Sequence, residues 1–244
     1  LAQKSATTDV AGAYAMPIPL SGGWTGHAAQ GGFRDSSRAT VEIADDDLVV
    51  DFVLHVSPLI RGQLLDPDGA PISGITVRVT GETDYMSRTV QTDETGSFTL
   101  SYSASVPTTV EIAYLDPLGT YVNGVLGPSG FTSDFQAASD IPIDLDSVVD
   151  ASATIPEYVR LLGTARLASG AVISGGWVEA RPLSGWSDSV AAIGTDGTYT
   201  LRIAPGSYTL AVPGGYYGQE GFAYESGAVT PVVIGNHDRV LDMV

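Results

Sequence analysis

The sequence contains no cysteine. Thiol catalysis, disulfide staples and zinc–thiolate sites are therefore excluded. Lys4 is the only lysine, and with the arginines it faces 28 acidic residues, for a formal net charge of −17. Binding to nucleic acid needs clustered cations that displace counterions from phosphates, and no such cluster occurs. Attraction to an anionic membrane surface is disfavoured for the same reason. No run of 18 apolar residues exists, so membrane insertion is not expected. The most apolar stretch, Leu48 to Val56, is interrupted by Asp51 and His55. The opening residues LAQKSATTDV lack a basic region followed by an apolar one, so any signal peptide lies outside them. His27, His55 and His237 are scattered, without His-x-x-x-His or Glu-x-x-His spacing. There is no Gly-x-Ser-x-Gly elbow, phosphate loop or dinucleotide fingerprint. No catalytic constellation is legible, and the chain is expected not to be an enzyme and to need no cofactor.

What is present is alternation punctuated by turns. Apolar residues make up 43%, enough for a core, and 29 Gly and 14 Pro break the chain too often for long helices. Three segments share a turn followed by a strand: Thr8-Asp9 to Met16, Thr92-Asp93 to Leu100, and Thr195-Asp196 to Leu201. Each places Thr-Asp before a Gly (Gly12, Gly96, Gly197), then an aromatic (Tyr14, Phe98, Tyr199), then an apolar residue. The physical reading is a hairpin: Asp closes the turn, Gly takes the unusual φ, and period-2 residues face one way. Val49-Val50-Asp51, Val148-Val149-Asp150 and Val240-Leu241-Asp242 read as one recurring closing strand. The Asp-to-Asp spacings are 42, 57 and 46 residues, as variable loops between fixed strands would give.

An opening hairpin occurs only twice, from Leu59 to Val77 and from Tyr158 to Val178. The units are therefore 1–54 (incomplete, the C-terminal half of a repeat), 55–154 and 155–244. Within them Ile75, Val77 and Val79 are expected to face a core, as are Phe98, Leu100 and Tyr102; Val110, Ile112 and Tyr114; Tyr199, Leu201 and Ile203; and Tyr208, Leu210 and Val212. About seven short strands per hundred residues reads as a two-sheet sandwich. The fold class is all-β, with tandem transthyretin-like or immunoglobulin-like β-sandwich modules.

The motif carried by Gly62, Asp66, Gly69, Pro71, Gly74, Thr92, Asp93, Gly96 and Phe98 resembles the carboxypeptidase regulatory-like domain. Gly163, Gly170, Gly175, Thr195, Asp196, Gly197 and Tyr199 carry it again, with Ala165 to Ala168 departing from the usual Asp turn. Pro205 to Leu210 also matches that family's PGxYTL hairpin. The family is similar in fold to transthyretin and to the B-type repeats of collagen adhesins. The resemblance implies spacers, stalks and accessories of secreted and surface proteins, and fold alone cannot choose among these. Some collagen-adhesin repeats form a Lys–Asn isopeptide bond; the two complete units contain no lysine, so the bond is impossible within either.

Three candidate sites remain. Asp45, Asp46 and Asp47 could offer oxygen ligands to calcium, as could other acidic pairs, but Asp is also a favoured turn residue. Trp177 and Trp186 flank a short loop, and Tyr216, Tyr217, Phe222 and Tyr224 fall in one Gly-rich stretch. Exposed aromatics stack on sugars; the same residues also cap sandwich ends. The incomplete unit is the third. Half a sandwich leaves an inner face and a strand edge uncovered. It is completed by a longer chain, by strands of a neighbouring subunit, or by packing as a smaller variant. The expected partners are thus a second chain completing 1–54, or a carbohydrate or extracellular-matrix ligand. The expected role is an extracellular or cell-surface stalk, fibre, sheath or surface-layer component, with an adhesin module or an accessory of a secreted enzyme as alternatives.

Overall fold

The computed structural model describes residues 3–18, 22–31, 33–34, 39–43, 47–82, 87–102, 107–183, 189–219, 221–224 and 226–244. They fall into two compact units, Leu1–Ser57 and Pro58–Val244. Asp45, Asp46 and Trp186 lie outside the described residues.

The first unit has two short antiparallel ladders. β1 (Gly22–Gly26) pairs β3 (Ala39–Ile43), and β2 (Phe33–Arg34) pairs β4 (His55–Val56). Of its described residues only Ser57 is buried. The turn expected after Thr8 forms: the Asp9 carboxylate accepts from the N–H groups of Ala11 and Ala13, and Gly12 takes φ +79°. The strands expected beside it do not. Residues 13–16 and 49–51 belong to no ladder among the described residues.

The second unit holds two hydrophobic cores in sequence order. The first lies between two sheets. One is formed by β5 (Leu59–Leu65), flanked by β8 (Ser97–Ser101) and by the parallel strands β13 (Val148–Asp150) and β14 (Ala153–Thr154). The other runs β7 (Ser87–Gln91), β6 (Thr76–Gly81), β9 (Thr108–Leu115), β10 (Gly124–Gly127), β11 (Gly130–Thr132), with β12 (Ile141–Ile143) also on β9. The second core repeats this arrangement, with a single bridge between Ala165 and Met243 in the place of β14. β15 (Val159–Thr164) lies between β18 (Thr198–Ile203) and the parallel β23 (Arg239–Val240). Facing it run β17 (Ser189–Ala192), β16 (Trp177–Pro182), β19 (Gly206–Val212), β20 (Gly215–Gly218), β21 (Gly221–Ala223), with β22 (Val232–Ile234) on β19.

Period-2 alternation decides which side chains enter each core. Ile75, Val77, Val79, Phe98, Leu100, Tyr102, Val110, Ile112 and Tyr114 are all buried in the first. Tyr199, Leu201, Ile203, Tyr208 and Leu210 are buried in the second, with Val212 packed against it. Each fully buried aliphatic side chain contributes about 1.5–3 kcal/mol relative to exposure. The chain is all-β, as its alternation implies.

One hairpin loop recurs through the chain. At Asp9–Gly12, Asp66–Gly69, Asp93–Gly96, Leu167–Gly170 and Gly194–Gly197, the fourth residue's N–H donates to the first residue's carbonyl, and the first residue's N–H donates across to the residue after the glycine. This is a type I turn closed by a left-handed glycine, the geometry of a G1 bulge. It corrects one alignment of the sequence. Gly194, not Thr195-Asp196, occupies the first position of the last loop, so Thr195-Asp196 is not the counterpart of Thr92-Asp93. Asp196 closes its turn from the third position by accepting from the Thr198 N–H and hydroxyl. Thr92 acts differently. It is buried, donates to the Ile72 carbonyl and accepts from the Ile75 N–H. The Leu167 loop forms without any carboxylate, so the backbone bonds and the glycine suffice.

Candidate functional site

The aromatic stretch is divided by the pleat of its own hairpin. In β20–β21, Tyr216 pairs Ala223 and Tyr217 pairs Phe222, so neighbouring rings point to opposite faces. Tyr216 lies on the outer face under Arg181, 5.7 Å from its guanidinium, and Glu179 holds that guanidinium in an ion pair of 2.6 Å. The Glu179 carboxylate raises the Arg181 pKa. Trp177 shares that outer face with Glu179 and Arg181, being on alternate residues of β16. Tyr217 turns inward, packs against the core and donates to the Asp242 carbonyl at 3.2 Å. Phe222 and Tyr224 stack edge to face at 5.3 Å. The aromatic residues of the stretch are thus divided between two faces, with Trp177 and Tyr216 on one, and Tyr217 and its cross-strand partner Phe222, whose ring stacks on Tyr224, on the other.

The glycines of this stretch have a packing reason. Gly124-x-x-Gly127-x-x-Gly130-Phe131 and Gly215-x-x-Gly218-x-x-Gly221-Phe222 form the same hairpin in the two cores, with Gly127 opposite Gly130 and Gly218 opposite Gly221. A Cβ on Gly215 would come within 2.5 Å of the Phe222 ring, and one on Gly124 within 2.6 Å of the Phe131 ring. This repeat was available in the sequence.

Among the described residues no group of three or more His, Asp or Glu side chains is placed to hold a metal ion. Asp47 is exposed. Its meaning comes from a second repeat. Val41-x-Ile43-x-x-x-Asp47-x-Val49-x-Asp51 aligns without a gap on Val232-x-Ile234-x-x-x-Asp238-x-Val240-x-Asp242. Asp238 accepts from the Arg160 N–H at 2.7 Å and from its guanidinium. Asp242 accepts from the Thr164 N–H and hydroxyl, each at 2.8 Å. Both carboxyls are held below the usual carboxylate range, Asp238 chiefly by the Arg160 N–H and Asp242 chiefly by the Thr164 hydroxyl. The two carboxylates therefore clasp β15 at its two ends.

An aromatic hydroxyl completes that clasp. Tyr199 donates to the Leu241 carbonyl at 2.5 Å, reaching across β15 where Gly163 has no side chain. Burial, followed by the charge of Asp242, raises the Tyr199 pKa well above its ordinary value. In the preceding core, Phe98 lacks the hydroxyl, and Tyr114 donates instead to the Ala151 carbonyl at 2.8 Å. The first unit keeps the bond: Tyr14, the counterpart of Tyr199, donates to the carbonyl of Val50, the counterpart of Leu241, at 2.7 Å. Tyr14 is 38% exposed, whereas Tyr199 is 3% exposed.

The two cores are joined without slack. Ile155 is buried in the first core, the Val122 N–H donates to the Pro156 carbonyl, and the Tyr158 N–H donates to the Thr120 carbonyl. Across the joint, the Arg202 guanidinium lies over the Tyr158 ring at 4.1 Å.

In both cores the last strand runs parallel to the first, with glycine-closed hairpins between. Residues 59–137 match the family model of the carboxypeptidase regulatory-like domain. No curated protein matches the chain. Among solved structures the chain is similar to a streptococcal ancillary pilin, with TM-score 0.41 and 14% identity over 94% of this chain and 77% of that one. It is similar to the minor pilin of Streptococcus agalactiae, with TM-score 0.41 and 12% identity over 77% of this chain and 94% of that one. It is also similar to the shaft pilin of Lactobacillus rhamnosus GG, with TM-score 0.29 and 11% identity over 77% of this chain and 97% of that one. Among the described residues no helix is long and apolar enough to cross a membrane.

Proposed function

We propose that this chain is a non-enzymatic structural component of an extracellular or cell-surface stalk or fibre, joined to its neighbours by strand complementation. The observation that carries the reading is the joint at residues 155–158. It is bonded to the first core on both sides and stacked on the second, and so holds successive modules at a set angle, as a spacer requires. The carboxypeptidase regulatory-like segment and the net charge of −17 are consistent with a solvated surface role. The unpaired segments 13–16 and 49–51 supply the point of attachment. Analytical ultracentrifugation and electron microscopy of the full chain test this. Concentration-dependent, end-joined particles support it. A monomer at all concentrations, with residues 13–16 and 49–51 protected from hydrogen exchange, contradicts it.

A further inference from the structure

We propose that the segments around Tyr14 and Val50 form a receiving slot for one extended strand of another chain, whose pattern is apolar, arginine, apolar, any, glycine, any, apolar. The inference rests on the strand-complementation reading and gives it a site, a register and a recognition chemistry.

The same chain contains this slot twice in filled form. In the second core β15 runs antiparallel to β18 and parallel to β23, with Gly163 opposite Tyr199. In the first core β5 runs antiparallel to β8 and parallel to β13, with Gly62 opposite Phe98. Val159, Leu161 and Ala165 of β15 and its extension are buried, and so are Pro58, Ile60 and Leu64 around β5. The buried positions fall four and two residues before each glycine and two after it. That is the footprint an occupant must have.

The glycine is a requirement of the walls rather than of the strand. A Cβ on Gly163 would stand 1.9 Å from the Leu241 carbonyl oxygen and 2.8 Å from the Tyr199 hydroxyl. A Cβ on Gly62 would stand 2.7 Å from the Ala151 backbone. In the first unit the Tyr14 hydroxyl makes the corresponding bond to the Val50 carbonyl and so occupies the space a side chain there would need. An inserted strand must therefore carry a glycine beneath Tyr14.

The arginine follows from charge. Asp47 and Asp51 are the counterparts of Asp238 and Asp242, both are exposed, and neither has a hydrogen bond among the described residues. Asp238 meets Arg160, three residues before Gly163. In the first core Arg61, one residue before Gly62, lies near Asp150. A strand entering the first unit thus meets two carboxylates placed for a backbone N–H and a guanidinium, charge-assisted bonds of the stronger kind. Tyr14, Met16 and Phe52 are not buried, whereas their counterparts Tyr199, Leu201 and Met243 are. An occupant would cover that apolar wall.

The probe is a dye-labelled synthetic peptide copying residues 157–166, titrated against the full chain, with hydrogen exchange to locate it. The expected result is saturable one-to-one binding that protects residues 13–18 and 49–53. The peptide carrying Gly163→Val is expected to bind at least tenfold more weakly. Asp47→Asn with Asp51→Asn in the full chain is expected to weaken the parent peptide severalfold and to make its binding less sensitive to salt. Equal binding of the Gly163→Val peptide, no binding, or protection mapping to other residues overturns the proposal. If the full chain assembles but the peptide does not bind, the slot is wrong and the assembly reading stands. If the peptide binds with this preference while the chain never associates, the slot is supported and the assembly reading falls.

Discussion

Gly163 sits directly opposite Tyr199, and the tyrosine hydroxyl crosses the glycine to reach the Leu241 carbonyl. Three strands are thereby tied at one point: the opening strand supplies the absence of a side chain, the next hairpin supplies the hydroxyl, and the last strand supplies the acceptor.

Adding a methyl there should be costly. Gly163→Ala and Gly62→Ala each drive a Cβ into backbone of the closing strand, so each should lose at least about 2 kcal/mol through overpacking and displacement of that strand. Gly170→Ala has φ +83° and open space around its Cβ. It should lose only the strain of a left-handed residue, about 1–2 kcal/mol. Denaturant titration of the three variants separates the two effects.

Tyr199→Phe removes the hydroxyl and leaves the Leu241 carbonyl without that donor. The expected cost is about 0.5–1.5 kcal/mol. Tyr14→Phe, at a solvent-reached counterpart, should fall below this range in the isolated chain, because water replaces the lost donor. Parallel thermal melts of the two variants check the difference.

Acid should weaken the fold. Asp93, Asp150, Asp196, Asp238 and Asp242 all titrate below the ordinary carboxylate range, chiefly because they accept N–H and hydroxyl bonds. A carboxyl whose folded pKa is depressed stabilises fully above its unfolded pKa of about 4 and loses that contribution as pH falls through the lower, folded value. Melting temperature should therefore hold near neutrality and decline below about pH 4. Asp238→Asn with Asp242→Asn should flatten the decline for the second core.

The joint makes a separate prediction. Arg202→Ala removes the stack on Tyr158. At a partly exposed site this is worth about 0.5–1 kcal/mol, too little to unfold either core. The relative orientation of the two cores should loosen instead, which NMR alignment tensors measured for each core would register as divergence.

Much of this architecture is written in alternation. Val77, Val79, Ile112 and Tyr114 are buried because every second residue of a strand faces inward, and that period survives in the sequence without any partner. Ladder pairing does not. Val49-Val50-Asp51 has the composition of a closing strand but no ladder among the described residues, and a strand is defined only beside another. Thr195-Asp196 resembles Thr92-Asp93 in letters, yet the bulge glycine fixes register from the far side of the loop, so the match slipped. The separation of Tyr216 from Tyr217 follows from the pleat and needed only the recognition that the stretch is a hairpin. The pairing of Asp238 with Arg160 spans 78 residues, and no local pattern announces it.

The parallel pairing of first and last strands has a mechanical corollary. In the first core the chain enters at Leu59 and leaves past Thr154, with β13 and β14 laid along β5 in the same direction. Tension applied at the two ends pulls these neighbours past one another lengthwise. Their hydrogen bonds are then loaded together rather than peeled singly, and the Ser152 hydroxyl, which accepts from the Gln63 N–H, shares the load. A module wired this way resists stretching most strongly along the axis its own termini define, and single-molecule pulling from the ends should meet a higher rupture force than pulling across the face.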